Sequence, residues 1–146
     1  MITLILALLI LVVGLLGAYT MNFQKTTLAL GKKLASDNPL LPTGFQDAIT
    51  PKMQTARNII YPILILAVFV YGIIFFKWYW GIGFAVLTFF IVIPILKLIL
   101  PRAGSDFYKE KIKKALLKRQ AQYRKAGDID KETAVNEILS RFDKLD

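Results

Sequence analysis

The chain has 146 residues, 55% of them hydrophobic, with a mean hydropathy of +0.52 and a formal net charge of +9. It contains no cysteine and no histidine, which excludes thiol nucleophiles, disulfides, a histidine general base and the usual zinc and copper sites. The apolar residues are gathered in three blocks, the pattern of membrane spans rather than of one soluble core.

Ile2 to Tyr19, ITLILALLILVVGLLGAY, carries no charge and at 1.5 Å per residue covers about 27 Å, close to the hydrocarbon thickness of a bilayer. No basic n-region precedes it, so it reads as a retained first transmembrane helix within residues 1–23 rather than as a signal peptide. Ala7, Gly14 and Ala18 are spaced seven and four apart, a small-residue seam that permits helix packing at close range.

Residues 24–58 read as a cytoplasmic or interfacial connector. Its first part can continue the first helix, with Phe23, Leu28 and Leu34 along one side. Pro39, Pro42, Gly44 and Pro51 then break any helix. Leu40, Leu41 and Phe45 either dip into the headgroup region or belong to a plain solvated linker.

Residues 59–100 hold the second and third spans, separated by about two residues and therefore expected as a tight antiparallel hairpin. Pro62 is placed in the first turn of its helix, where a missing N–H matters little. Pro94 falls inside the third span and predicts a kink; Pro101 stops it. The turn FFKWYWGIGF places Lys77, Trp78, Tyr79 and Trp80 as interfacial anchors at headgroup level, with Gly81 and Gly83 allowing close passage of backbone. None of the spans contains Asp, Glu or Arg, and Lys97 is their one charge. It lies near the end of its span, where its stem can snorkel to the interface. Carboxylate-coupled transport therefore has no residue to carry it.

Residues 101–146 form a basic helical tail. Residues 101–127 carry nine Lys/Arg and two acids, and residues 128–146 three Lys/Arg and six acids. Ser105 is the expected N-cap of a first tail helix ending at Ala126, with Gly127 as its stop. Asp128 or Asp130 then caps a second helix whose apolar face is Val135, Ile138, Leu139 and Phe142. The first helix offers a thinner stripe of Tyr108, Ile112, Leu116 and Tyr123, and the charge contrast favours folding the two together. Asp128, Asp130 and Glu132 lack the spacing of a calcium loop and read as helix-capping acids. No metal and no cofactor are expected.

The tail and the connector carry most of the Lys and Arg, so both are expected in the cytoplasm, with the N-terminus outside. The fold class is thus an all-α integral membrane protein of the bacterial inner-membrane type. It has three transmembrane helices and a cytoplasmic amphipathic helical-hairpin tail. Candidate contacts to a partner or to anionic lipid are Lys109, Lys111, Lys113, Lys114, Lys118, Arg119, Arg124 and Lys125. The function expected is a non-catalytic accessory or scaffold subunit of an inner-membrane complex. Its partners would be membrane lipids and larger integral membrane subunits, without nucleic acid. The alternatives are a lipid-binding membrane protein and a homo-oligomeric small channel or carrier, the latter lined by Tyr71, Thr88 and backbone freed at Pro94.

Overall fold

The computed structural model describes residues 1–35, 40, 45, 49 and 51–144. Leu41 and the break at Pro39, Pro42 and Gly44 lie outside them. Among the described residues the regular structure is entirely helical. Three helices are long and apolar enough to cross a membrane, Ile2–Leu34, Asn58–Phe75 and Trp78–Ile99. The helices are α1 (Ile2–Leu34), α2 (51–75), α3 (Trp78–Ile99), α4 (Asp106–Ala126) and α5 (Ile129–Phe142). The chain divides into two compact units, residues 1–22 with 52–102 and residues 23–51 with 103–146.

In the first unit, small residues set how closely the helices approach. A Cβ on Gly14 would lie 2.7 Å from Val92 Cγ1, and one on Gly17 would lie 2.8 Å from the Tyr61 hydroxyl. Lipid tails are as apolar as leucine, so close backbone packing rather than water exclusion is what favours these contacts. Ala18 and Val13 are fully buried on the same stretch, whereas Ala7 is exposed. The packed seam therefore runs Val13, Gly14, Gly17, Ala18. Leu6, Val13 and Val68 form its apolar centre, with Leu64, Ile65 and Phe84 packed around them.

Both later spans contain a π-helical turn two residues before a proline. Ala56–Ile60 precedes Pro62, and Thr88–Val92 precedes Pro94. A proline has no N–H for the carbonyl four residues earlier, and its ring crowds that carbonyl. At the second site the Ile93 N–H donates to the Thr88 carbonyl, five residues back, and the dihedrals of Val92 and Ile93 stay helical. The extra residue in the turn absorbs the proline without breaking the helix. Pro62 stands in the first turn of the α-helical stretch Tyr61–Phe75, as expected, but that stretch is preceded by helical turns at Pro51–Thr55 and Ala56–Ile60 rather than by a free start at residue 59.

The second unit contains the polar end of α1. Phe23, Thr27, Leu30 and Leu34 are buried there and Leu28 is 49% exposed. A step of five residues from Phe23 turns about 140° away, whereas steps of four, seven and eleven stay on its side. Phe45 is buried, with its Cβ 2.8 Å from where a Gly31 side chain would begin. It packs on protein, while Leu40 remains exposed. Helices α4 and α5 pack together, burying Ile112 and Leu116 on one and Ala134, Val135, Ile138 and Phe142 on the other, while Tyr108, also buried, meets the Phe23 ring of α1 edge-on at 6.2 Å. Gly127 turns the chain between them in the left-handed region at φ 72°.

Candidate functional site: a basic helix face, an aromatic turn and a polar clasp

The basic residues of α4 do not act as one patch. Helical geometry sends positions three, four and seven apart to one side, and α5 covers one such side. Lys113 pairs with Asp143, and Arg124 Nε lies 2.8 Å from Glu132 Oε1, so these two reach across to α5. Lys109 pairs with Asp106 in the first turn, at 3.1 Å. Lys109, Lys113 and Arg119 are half-buried, and Arg119 donates to Gln122 Oε1. Lys111, Lys114, Lys118 and Lys125 are exposed. Of these, Lys114 pairs with Glu110 at 2.6 Å, and the Lys111 ammonium lies 5.7 Å from the Phe107 ring centroid. Lys118 and Lys125 form no ion pair among the described residues.

Two acids of the tail are held below their ordinary carboxylate values. For Glu110 the cause is the hydrogen bond from Lys114, reinforced by that lysine's charge. For Asp128 it is the hydrogen bond from Lys131, whose own ammonium is raised by the same contact. Asp128 also caps α5, accepting from the Lys131 backbone N–H at 3.3 Å. Glu132 is engaged with Arg124. Ser105 occupies the N-cap position of α4, but its hydroxyl makes no capping bond. Its backbone carbonyl accepts from the Tyr108 and Lys109 N–H groups.

The aromatic turn is built on an extended residue. Lys77 sits at φ −148°, ψ 157° between α2 and α3, and its carbonyl accepts from the Trp80 N–H at 2.8 Å. Trp78, Tyr79 and Trp80 are all exposed. Their rings form a chain, with Trp80 stacked on Phe84 at 5.5 Å and the Lys77 ammonium 6.0 Å from the Tyr79 ring centroid. Behind them Gly72 and Gly81 meet backbone to backbone: a Cβ on Gly72 would lie 2.7 Å from Gly81 Cα. Gly83, two residues on, has open space around it. Close passage therefore belongs to Gly72 and Gly81.

Several polar groups at or within the spans bond to backbone of the same chain. The Thr88 hydroxyl, fully buried, donates to the Phe84 carbonyl at 2.7 Å. The Tyr71 hydroxyl donates to the Ile2 carbonyl at 3.2 Å. Asn22 is 2% exposed, and its amide donates to the carbonyls of Pro101 at 3.1 Å and Lys97 at 3.4 Å. The Lys97 carbonyl would receive the N–H of residue 101 in a continuing helix, and residue 101 is a proline. Asn22 thus caps the end of α3 from α1. In the second unit Thr26 Oγ1 accepts from the Gly104 N–H at 2.8 Å, where Gly104 takes φ 86°. Sequence reasoning missed Asn22, Thr26 and Gly72. The available signal was an asparagine and two threonines just past an apolar run, together with a proline that removes a capping N–H.

Compared with protein-family models, with curated proteins and with solved structures, the chain finds no match in any of the three.

Proposed function

We propose that the chain is a non-catalytic accessory or scaffold subunit of an inner-membrane protein complex, whose basic tail contacts a partner subunit or anionic lipid. The observation that carries the reading is the division of labour on α4. Lys113 and Arg124 are spent on holding α5, while Lys111, Lys118 and Lys125 stay exposed on a helix already anchored by its other face. Such a helix presents charge from a fixed frame instead of from a floppy tail. The spans lend further support. Only 11% of the apolar window of the second and of the third is buried within the chain, which leaves their outer faces to lipid or to larger subunits. In this reading the tail and connector lie in the cytoplasm and the N-terminus outside, the orientation that the distribution of Lys and Arg favours.

The channel or carrier reading draws less support, because the hydroxyls of Thr88 and Tyr71 are engaged with backbone carbonyls of the same chain. The test is solubilisation from native membranes in mild detergent, affinity purification, and mass spectrometry of what elutes at fixed stoichiometry. A stoichiometric membrane partner is the expected result. Recovery as a lone monomer, with no partner retained under any mild detergent, overturns the proposal.

A further inference from the structure

The exposed face of α4 is narrower and better ordered than a general basic tail. At 100° per residue, Phe107, Lys111, Lys114, Lys118 and Lys125 fall within an arc of about 60°. The row spans about 27 Å of a helix that rises 1.5 Å per residue. Phe107 is 45% exposed and Leu117, at the border of the row, 46% exposed. This face is turned away from Tyr108, Ile112 and Leu116, which α4 buries.

We infer that this face lies on the surface of an anionic bilayer, with the lysine ammonium groups among the headgroups and Phe107 and Leu117 reaching below them. The inference rests on the reading of the tail above and replaces its two occupants with one. Three observations favour lipid over a protein. The chain from Ile99 to Asp106 has seven steps, so α4 begins no more than about 25 Å from the end of a membrane span. A helix docking in a protein groove needs a stripe of apolar anchors at three- and four-residue steps; here two apolar residues stand ten positions apart among lysines. The free cations of the row are lysines, compact point charges on flexible stems, which suit dispersed headgroups. The rigid fork of arginine suits a fixed carboxylate instead, and Arg124 is used that way on Glu132.

The absence of cysteine makes a single introduced cysteine a unique attachment point. Ala121 is exposed beside the row, and Ser140 is exposed on α5. The full-length A121C protein is labelled with an environment-sensitive fluorophore. It is then placed in nanodiscs of phosphatidylcholine alone, or of phosphatidylcholine with about one-third phosphatidylglycerol. The expected result is a blue-shifted, brighter label only in the anionic discs, reversed by high salt. The S140C label should read the same in both lipids. Replacing Lys111, Lys118 and Lys125 by Gln should lower the bound-to-free ratio of the tail by about two orders of magnitude. Unchanged helicity by circular dichroism shows that the variant is folded.

An Ala121 label with the same emission in both lipids overturns the inference and leaves the subunit reading standing. A label shielded only in native membranes, and not in anionic discs, assigns the face to a protein and also overturns it.

Discussion

Gly81 and Gly83 stand two residues apart in one helix, and the same substitution should move stability in opposite directions. A methyl on Gly81 would lie 2.6 Å from the Phe69 carbonyl oxygen and 2.8 Å from Ile73 Cγ1. The first distance is about 0.8 Å inside the 3.4 Å at which ordinary contact begins, and the obstacle is backbone, which cannot swing aside as a side-chain tip can. Overpacking costs about 1–3 kcal/mol. The alanine recovers somewhat under 1 kcal/mol through its better helix propensity. Gly81→Ala should therefore destabilise the protein by a net of about 1–2 kcal/mol, the upper half of the range because the obstacle is backbone. Gly83 has nothing within 4 Å, so Gly83→Ala keeps only the propensity gain and should stabilise by about 0.5–1 kcal/mol. The assay is reversible unfolding in mixed micelles with increasing denaturing detergent, followed by tryptophan fluorescence. The protein's two tryptophans, Trp78 and Trp80, both lie in this turn. Equal losses for the two variants, or no loss for Gly81→Ala, would refute the close approach of α2 and α3 at this point.

Three further outcomes are expected. Asn22→Leu keeps the volume but removes the donor to the Pro101 and Lys97 carbonyls, and should cost about 2 kcal/mol in the same unfolding assay. Gly127→Ala forces a Cβ into the left-handed region at φ 72°; it should cost about 1 kcal/mol and lower the melting temperature of the tail. The ion pairs of the tail give a pH dependence with a defined sign. Glu110 and Asp128 are lowered from 4.5 and 3.8, so their contribution is present above those values and is lost as pH falls through the lower folded ones. Lys131 is raised from 10.5, so its contribution is present below that value and is lost as pH rises through the raised one. Tail stability measured by circular dichroism should be flat between these limits and decline outside them. A wild-type loss near neutral pH would count against the assignment, and Asp128→Asn should flatten the part owed to the Asp128–Lys131 pair.

The three apolar runs were legible because a bilayer demands an uninterrupted apolar length, and that is a one-dimensional property. The tail helices were legible through local signals: Asp128 as cap, Gly127 as stop, and apolar residues returning every three or four positions. The continuation of α1 to Leu34 was legible from the apolar residues Phe23 and Leu34 beyond the span, though not which of its leucines face inward: Leu28 is exposed and Leu30 buried. The π turns were hidden because a proline announces a missing hydrogen bond without saying how the chain adjusts. Of the small-residue seam, Gly14 and Ala18 are packed within the chain and Ala7 is exposed on it; small residues mark candidates on every side of a membrane helix, and only the neighbour decides which are used. Asn22 was invisible for a simpler reason: its acceptors lie 75 and 79 residues further along the chain. Among the basic residues, composition revealed the charge but not its division, since Lys113 and Lys114 differ only in which side of the helix they occupy.

The Asn22 clasp also sets an order on biogenesis. The first helix leaves the ribosome with an amide just past its apolar run, and the carbonyls that accept from it belong to the last span. Until that span has been synthesised and inserted, the amide must remain in the wet interfacial zone or borrow another acceptor. The first helix therefore reaches its final seat only after the third has entered the membrane. A chain truncated before residue 97 would lack both acceptors of the Asn22 amide.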